Sequence, residues 1–505
     1  MRGIRAIVLI TAFVVAGGMA FAERASIDLA KGGADAHLTF AQADSDKEFI
    51  SAETIAVGDI NGDSSGDLII RGRYMGAPVI GVMWGRAELP KQKLLLPVPE
   101  VLDVLIYLQG EPSVFFPEMP PVVGDINGDR IGDLVIPVED GFVVFWGRTK
   151  WPARIDMKEM GADLKIVAPL SRQRGESWLG LASIGDVNGD GIDDLLLTHR
   201  PLPPPVQAKP HPSPSSYEKV GSLVFGRKEW PRSINFSKEF PDVTINAEVG
   251  DPSLRRLRSL RVGDVDGDGY GDILVGPWEG VLGKGGVVAT VRDRWATGWV
   301  IPGAQKLTST IILRYPSDKI TSPVRKIPAP VFLDFRHDGW ALEGGIEFGD
   351  IDGDGKADVI LSMIQAGSGD KAPHRKICLL KGGEHFFAET TRASVKSCAM
   401  LGGDRFDGFS PAQIYWPMVG DFNGDGRKDI VMRGHDHKYS VVYGRPLQGT
   451  VDIESVQDVE ILPPSNTRGF GFQTALGDVN GDQKADLLIL QTTGNPPGVY
   501  IVHGR

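Results

Sequence analysis

The chain has 505 residues, of which 42% are apolar and 24% charged, with 64 glycines, 35 prolines and only two cysteines. This composition excludes a disordered chain and a disulfide-framed miniprotein, and it supplies enough apolar side chains for a sizeable core. The net charge is −11 with no basic run, which excludes a nucleic-acid surface on electrostatic grounds.

Residues 1–22 read as an address. Arg2 and Arg5 form a positive start, residues 6–16 (AIVLITAFVVA) an apolar stretch, and Ala20-Phe21-Ala22 a small-residue cleavage site. The apolar run is too short to span a bilayer, and no later stretch is apolar enough to do so. The expected product is a monomeric protein without a transmembrane anchor, periplasmic or secreted. No Cys lies near the cleavage point, so a lipid anchor is not indicated.

Beyond this leader, one acidic pattern is used seven times. It begins at Asp59 (GDINGDSSGDLII), Asp125 (GDINGDRIGDLVI), Asp186 (GDVNGDGIDDLLL), Asp264 (GDVDGDGYGDILV), Asp350 (GDIDGDGKADVIL), Asp421 (GDFNGDGRKDIVM) and Asp478 (GDVNGDQKADLLI). Successive starts are 66, 61, 78, 86, 71 and 57 residues apart, so the copies tile the chain. A short Val/Ile/Leu-rich run enters each loop and another leaves it, which predicts two buried strands joined by a hairpin-like turn. A third strand ends on Gly-Arg five times: VMWGR, VVFWGR, LVFGR, VVYGR and YIVHGR. A weaker fourth comes next in SIDLAKGGADAHLTF, RIDMKEMGADLKIV, SINFSKEFPDVTIN and VDIESVQDVEIL.

Four strands per unit, repeated radially, predict an all-β, seven-bladed β-propeller. The units are about 24–86, 87–148, 149–227, 228–292, 293–383, 384–445 and 446–505. The last unit stops after its third strand, and the segment from Ser26-Ile27-Asp28-Leu29 onward is expected to complete it. That closure would remove two exposed sheet edges. Cys378 and Cys398 are compatible with a bridge between neighbouring strands or with two buried thiols.

The seven G-D-x-[ND]-G-D cores, the apolar-Gly-Arg strand ends and the approach Gly469-Phe470-Gly471-Phe472 resemble the integrin-α-type FG-GAP repeat family and bacterial FG-GAP and VCBS-type repeat proteins. The resemblance covers residues 24–505 and is weakest over about 293–345. It implies a seven-bladed propeller, Ca²⁺ in the loops, and binding or adhesion on the face opposite them. Phe-Gly and Gly-Ala-Pro elements are poorly kept, with Gly276-Pro277 only a partial echo, so the chain is a divergent member of that pattern.

The loop chemistry points to Ca²⁺ independently. Oxygen side chains stand at positions 1, 3, 5 and 9 of each loop, with a backbone carbonyl at position 7 (Tyr270 in the fourth), as hard-cation loops require. The candidate ligands are Asp59, Asn61, Asp63 and Asp67; Asp125, Asn127, Asp129 and Asp133; Asp186, Asn188, Asp190 and Asp194; Asp264, Asp266, Asp268 and Asp272. They continue with Asp350, Asp352, Asp354 and Asp358; Asp421, Asn423, Asp425 and Asp429; and Asp478, Asn480, Asp482 and Asp486. With no position-12 Glu and no following helix, they are not EF-hands.

Position 6 is Gly in the third to sixth copies (Gly191, Gly269, Gly355, Gly426) and Ser64, Arg130 or Gln483 in the others. A side chain there opposes positive φ, so the third to sixth loops are expected to be strongest, the all-Asp fourth and fifth first. The bland alternative is that Asp and Asn only cap the turns. Residues 1–22 hold two of the 54 basic residues and no acidic one, so the remainder carries −13, which seven Ca²⁺ would bring near neutrality.

No nucleophile elbow, HExxH, phosphate loop or zinc pattern occurs. His435-Asp436-His437 is conceivable as a metal pair but reads better as a solvated loop. Trp151 and Trp230 read better as inter-blade packing than as sugar platforms. The Pro/Ser-rich stretch 200–217 reads as a tolerated insertion more than a contact arm. The expected function is a non-enzymatic binding or adhesion module for a protein or glycan; the alternative is an exported hydrolase or lyase acting on polysaccharide or phosphoester.

Overall fold

A computed structural model of the chain describes residues 25–40, 50–74, 76–88, 94–96, 102–108, 120–138, 141–167, 178–200, 217–236, 238–239, 241–248, 257–277, 297–313, 330–335, 340–365, 374–389, 392–403, 417–434, 436–493 and 497–505. The leader, His435 and residues 201–216 of the Pro/Ser-rich stretch lie outside these.

The apolar runs that flank each loop pair antiparallel, as their length and β-branched content require. In the second blade Val122–Gly124 enters the loop and Asp133–Val138 leaves it, succeeded by Gly141–Phe145 and Leu164–Val167 in antiparallel order. Asp133–Val138 is buried along its whole length. Its alternate side chains serve different neighbours. Leu134 and Ile136 pack with Ile60, Ile69 and Ile80 of the preceding blade, while Val135 packs with Leu195 and Leu197 of the following one. A strand buried on both faces carries no polar alternation, which is why these runs read as continuous apolar stretches.

The same arrangement recurs in seven sheets, and the apolar side chains form seven clusters, each spanning two successive blades. The first strands stand side by side round the centre: Ile50–Gly58 lies beside both Val122–Gly124 and Phe470–Gly477, which closes the circle. The seven-bladed propeller expected from the loop count is the observed fold.

Two features depart from the expected blade. Each sheet has a fifth, short strand, paired parallel to the fourth and contributed by the next blade. The segments expected to be single fourth strands are each divided. Ahead of the second blade's fourth strand, Arg154–Asp156 joins the first blade's Val104–Tyr107, a single helical turn Met157–Met160 comes next, and Leu164–Val167 then completes the second blade. Asp156 caps the turn by accepting the Lys158 N–H, as Asp28 and Asp452 do for Ala30 and Glu454.

Closure obeys the same rule. Ala25–Asp28, expected to complete the last blade, instead pairs parallel with Val459–Leu462 of the sixth. The strand that closes the ring is Ala36–Phe40, antiparallel to Gly498–Val502. A single strand could not seal two blade edges at once, so the segment is split between them.

The glycine that precedes each loop is set by blade-to-blade approach. A Cβ on Gly124 would lie 2.4 Å from Ile184 Cγ2 of the next blade, and one on Gly58 would lie 2.5 Å from Val123 Cβ. Cys378 and Cys398 form a disulfide with Cα atoms 5.3 Å apart, tying the fifth blade's His374–Leu380 to the approach of its fourth strand, Ala399–Gly402. The Gly124→Ala variant is expected to lose about 1–3 kcal/mol in urea unfolding. Gly383→Ala, where an added Cβ meets nothing within 4 Å, is expected to stay within about 0.5 kcal/mol of the parent.

Candidate metal centres on the loop face

Each loop is organised by its own carboxylates. The position-1 Asp accepts the N–H of the position-4 Gly through Oδ1, at 2.6–2.7 Å in all seven copies. Through Oδ2 it accepts the position-6 N–H at 2.7–2.9 Å. The position-5 Asp accepts the position-7 N–H at 2.8–3.0 Å. The turn-capping role raised as the bland alternative is therefore present in every copy.

Position 6 has positive φ throughout, including Ser64 at 70°, Arg130 at 73° and Gln483 at 68°. The first, second and seventh loops thus keep the same turn as the others despite their side chains. Two loop-bracing hydrogen bonds to the position-1 carboxylate offset the strain of a non-glycine residue there, which is on the order of 1 kcal/mol.

The position-9 Asp is the buried member. In each copy its Oδ2 accepts the position-2 N–H at 2.6–3.0 Å. Its Oδ1 accepts the N–H of the glycine ending the third strand, at 2.7–3.0 Å. Burial pushes Asp67, Asp133 and Asp194 up to about 7 and Asp272 up to about 8, with neighbouring loop carboxylates adding to the shift. Asp358 and Asp429 are raised to about 6, again chiefly by burial. A cation would relieve this cost of holding carboxylates together out of water.

The copies differ at position 3. In the fourth loop, carboxylate oxygens of Asp264, Asp266 and Asp268 lie within 4.8 Å of one another, and Asp350, Asp352 and Asp354 do the same in the fifth. Burial, with Asp268 second, pushes Asp266 up to about 6. In the other five loops an Asn stands at this position, and in the first, second, sixth and seventh its Nδ2 donates to the position-5 Asp at 3.0–3.2 Å. An amide presents an oxygen or a nitrogen, so these loops supply one carboxylate fewer and an adaptable donor.

Basic side chains reach two of the loops from the end of the third strand. Lys381 Nζ bonds Asp352 and lies 3.1 Å from Asp354 Oδ2, and these hydrogen bonds hold its ammonium above the usual lysine range. His503 Nδ1 lies 3.0 Å from Asp486 Oδ1, which raises the imidazole above its ordinary value.

The loops are also joined to one another. The position-8 N–H of each donates to the position-1 carbonyl of the preceding loop, from Gly132 to Asp59 on to Ala485 to Asp421. Gly66 to Asp478 closes this circle of seven bonds, which are 2.6–3.0 Å long. Over each position-4 Gly lies the position-7 side chain of the next loop, such as Tyr270 over Gly189 and Arg427 over Gly353.

The Gly-Arg strand ends have acidic partners that the motif pattern alone does not reveal. Arg86, Arg148, Arg227, Arg445 and Arg505 pair with Asp103, Asp163, Asp242, Asp458 and Asp35, each lying just before a fourth strand. The signal was there, as an Asp immediately before the apolar run in GADAHL, GADLKI, FPDVTI and VQDVEI. Trp151 and Trp230 donate through Nε1 to the position-2 carbonyls of Ile60 and Ile126 in the preceding blades, and an arginine stacks on each. They pack between blades, as expected. His437 contacts Arg433, whose guanidinium also donates to the Phe470 and Gly471 carbonyls of the next blade.

Comparison with known proteins is consistent with this geometry. Residues 411–489 match the FG-GAP-like repeat. The chain is 27% identical over 252 residues, 48% of its length, to integrin alpha pat-2 of Caenorhabditis briggsae. It is 31% identical over 167 residues, 32% of its length, to integrin alpha-PS2 of Drosophila melanogaster. The matched stretches span only 18% and 11% of those two proteins. Among solved structures, BBS1N in complex with ARL6DN aligns with 93% of this chain and 97% of its own, at 10% identity and a TM-score of 0.39, too low to bear on the fold.

The Asp133→Asn variant would turn an amide N–H₂ toward the Ile126 or Gly147 N–H. It is expected to lose about 1–3 kcal/mol in calcium-free urea unfolding. Asp103→Ala removes a half-exposed pair with Arg86 together with the acceptor of the Trp84 N–H, and is expected to cost about 1–2 kcal/mol.

Proposed function

From FG-GAP-type repeats carried on a seven-bladed propeller, we propose that this chain is an exported, calcium-stabilised binding module that engages a protein or glycan ligand without transforming it. The observation that carries the reading is the closed ring of acidic loops, wired identically in seven blades, in a chain similar to integrin α over nearly half its length.

The loops serve stability. Oxygens of positions 1, 3 and 5, the position-7 carbonyl and the buried position-9 carboxylate form a donor set suited to Ca²⁺. The fourth loop fits it best, because Asp264, Asp266 and Asp268 already converge there beside buried Asp272. Bound Ca²⁺ would join the first, second and third strands of a blade at one point and, through the ring of backbone bonds, brace it against its neighbour.

The other face is where the blades differ. The second strands end, and the third strands begin, opposite the loops, and the sequence between them runs from two residues between Asp67–Tyr74 and Ala77–Met83 to 16 residues over 201–216 and 19 over 278–296. A uniform face held by ions and a variable face of unequal connections suit a scaffold that presents recognition elements. The leader at residues 1–22 supports export, and among the described residues no helix is long and apolar enough to cross a membrane.

Thermal melts of the purified chain in calcium and in EDTA test the first part. Each site saturated a hundredfold above its Kd is expected to add about 2.7 kcal/mol, so an unchanged midpoint in EDTA would refute calcium stabilisation. A glycan array and a panel of immobilised surface proteins, run beside a polysaccharide and phosphoester hydrolysis screen, test the second. Saturable binding without turnover is expected, and turnover of a bound substrate would overturn the non-enzymatic reading.

A further inference from the structure

The fourth and fifth loops carry the same four aspartates but differ in what stands above them. The residue before the glycine that ends the third strand is Pro302 in the fourth blade and Lys381 in the fifth. Both glycines occupy the same place, since Gly303 donates to Asp272 and Gly382 to Asp358. In the other blades this position holds Trp84, Trp146, Phe225, Tyr443 and His503. Lys381 alone places a permanent positive charge there.

Its ammonium sits where a cation would. Nζ bonds Asp352 and lies 3.1 Å from Asp354 Oδ2, touching positions 3 and 5 of the donor set together. A second cationic side chain is close by, because Arg427 of the sixth loop lies over Gly353, its Nε 2.6 Å from where a Cβ would be. The fourth loop has Pro302 at the place of Lys381, and its carboxylates converge without that ammonium. Lys356 lies over Gly267 of the fourth loop, but its Nζ is 3.8 Å from Glu384, outside the loop. Two cations cannot share one cluster of carboxylate oxygens without strong repulsion.

We propose that Lys381 is the resident cation of the fifth loop, so that this loop is held closed by an internal ammonium and binds no Ca²⁺ in the native protein, unlike the fourth loop with its same four aspartates. The proposal rests on the calcium reading of the other loops. It reverses the order expected from aspartate count alone, because four carboxylates attract whichever cation is tethered closest. A lysine on the same chain acts at a fixed effective concentration, and the blade carrying it stays closed when calcium is scarce.

The test compares the full chain with Lys381→Met, Lys381→Gln and the charge-preserving Lys381→Arg by calcium titration calorimetry and by melting in EDTA. The two neutral variants are expected to bind one more Ca²⁺ per chain than the wild type and to melt at lower temperature in EDTA, with the difference reversed by calcium. Lys381→Arg is expected to behave as wild type in both measurements. Equal stoichiometry in wild type and both neutral variants overturns the proposal, as does an unchanged EDTA melt. A wild-type chain that binds no calcium at any loop refutes the calcium reading instead, and the EDTA melt alone then decides whether Lys381 holds the fifth loop closed.

Discussion

The position-9 carboxylate is the group on which the blades depend. It sits at the start of the second strand, accepts one N–H from the loop and another from the end of the third strand, and is buried in all seven copies. One side chain therefore sets the loop, the register of the hairpin and the end of the adjacent strand. A buried carboxyl group with two fixed donors is strongly directional, and its removal leaves two buried N–H groups without acceptors. The apolar clusters between blades supply more of the stability, but apolar contact has no direction and would not by itself hold seven loops in one conformation.

The second constraint is circular. Each loop donates a backbone N–H to its predecessor, and Gly66 to Asp478 completes the circle. The outer edge is closed in the same sense, since each blade receives a short parallel strand from the next. Exposed strand edges are sites for unwanted pairing, and this exchange pairs two to four residues of the fourth strand of every blade. The pair Arg505 with Asp35, together with the N–H of His503 bonded to Asp35 at 2.9 Å, joins the two ends of the described chain. It repeats the Arg–Asp clasp that the other blades form within one continuous stretch.

Charge and packing are separated along the molecule. The loop end concentrates carboxylates and the side chains that neutralise them, while the blade interiors between Ile60 and Val502 are almost entirely aliphatic and aromatic. Some polar groups are buried away from the loops. Arg433 is one, and it bonds the carbonyls of the Phe-Gly approach in the next blade, which gives that sequence element a structural role.

The number of blades, their β character and the identity of the loops were legible in the sequence, because each depends on local pattern. A thirteen-residue motif with Asp at fixed positions and Gly at positive φ specifies its own turn, and flanking Val/Ile/Leu runs specify strands buried on both faces. Trp151 and Trp230 were legible for the same reason, through their constant phase after Gly-Arg. Other features depend on which segments meet in space. The division of the Ala25–Phe40 segment between two blades, the Asp partners of the Gly-Arg ends and the Cys378–Cys398 bridge were settled only by the tertiary structure. So was the ammonium of Lys381 over the fifth loop, contributed from 23 residues beyond Asp358. Local hydrogen-bonding geometry is written in short-range spacing, whereas pairing across a blade edge is chosen by the packing of the whole ring.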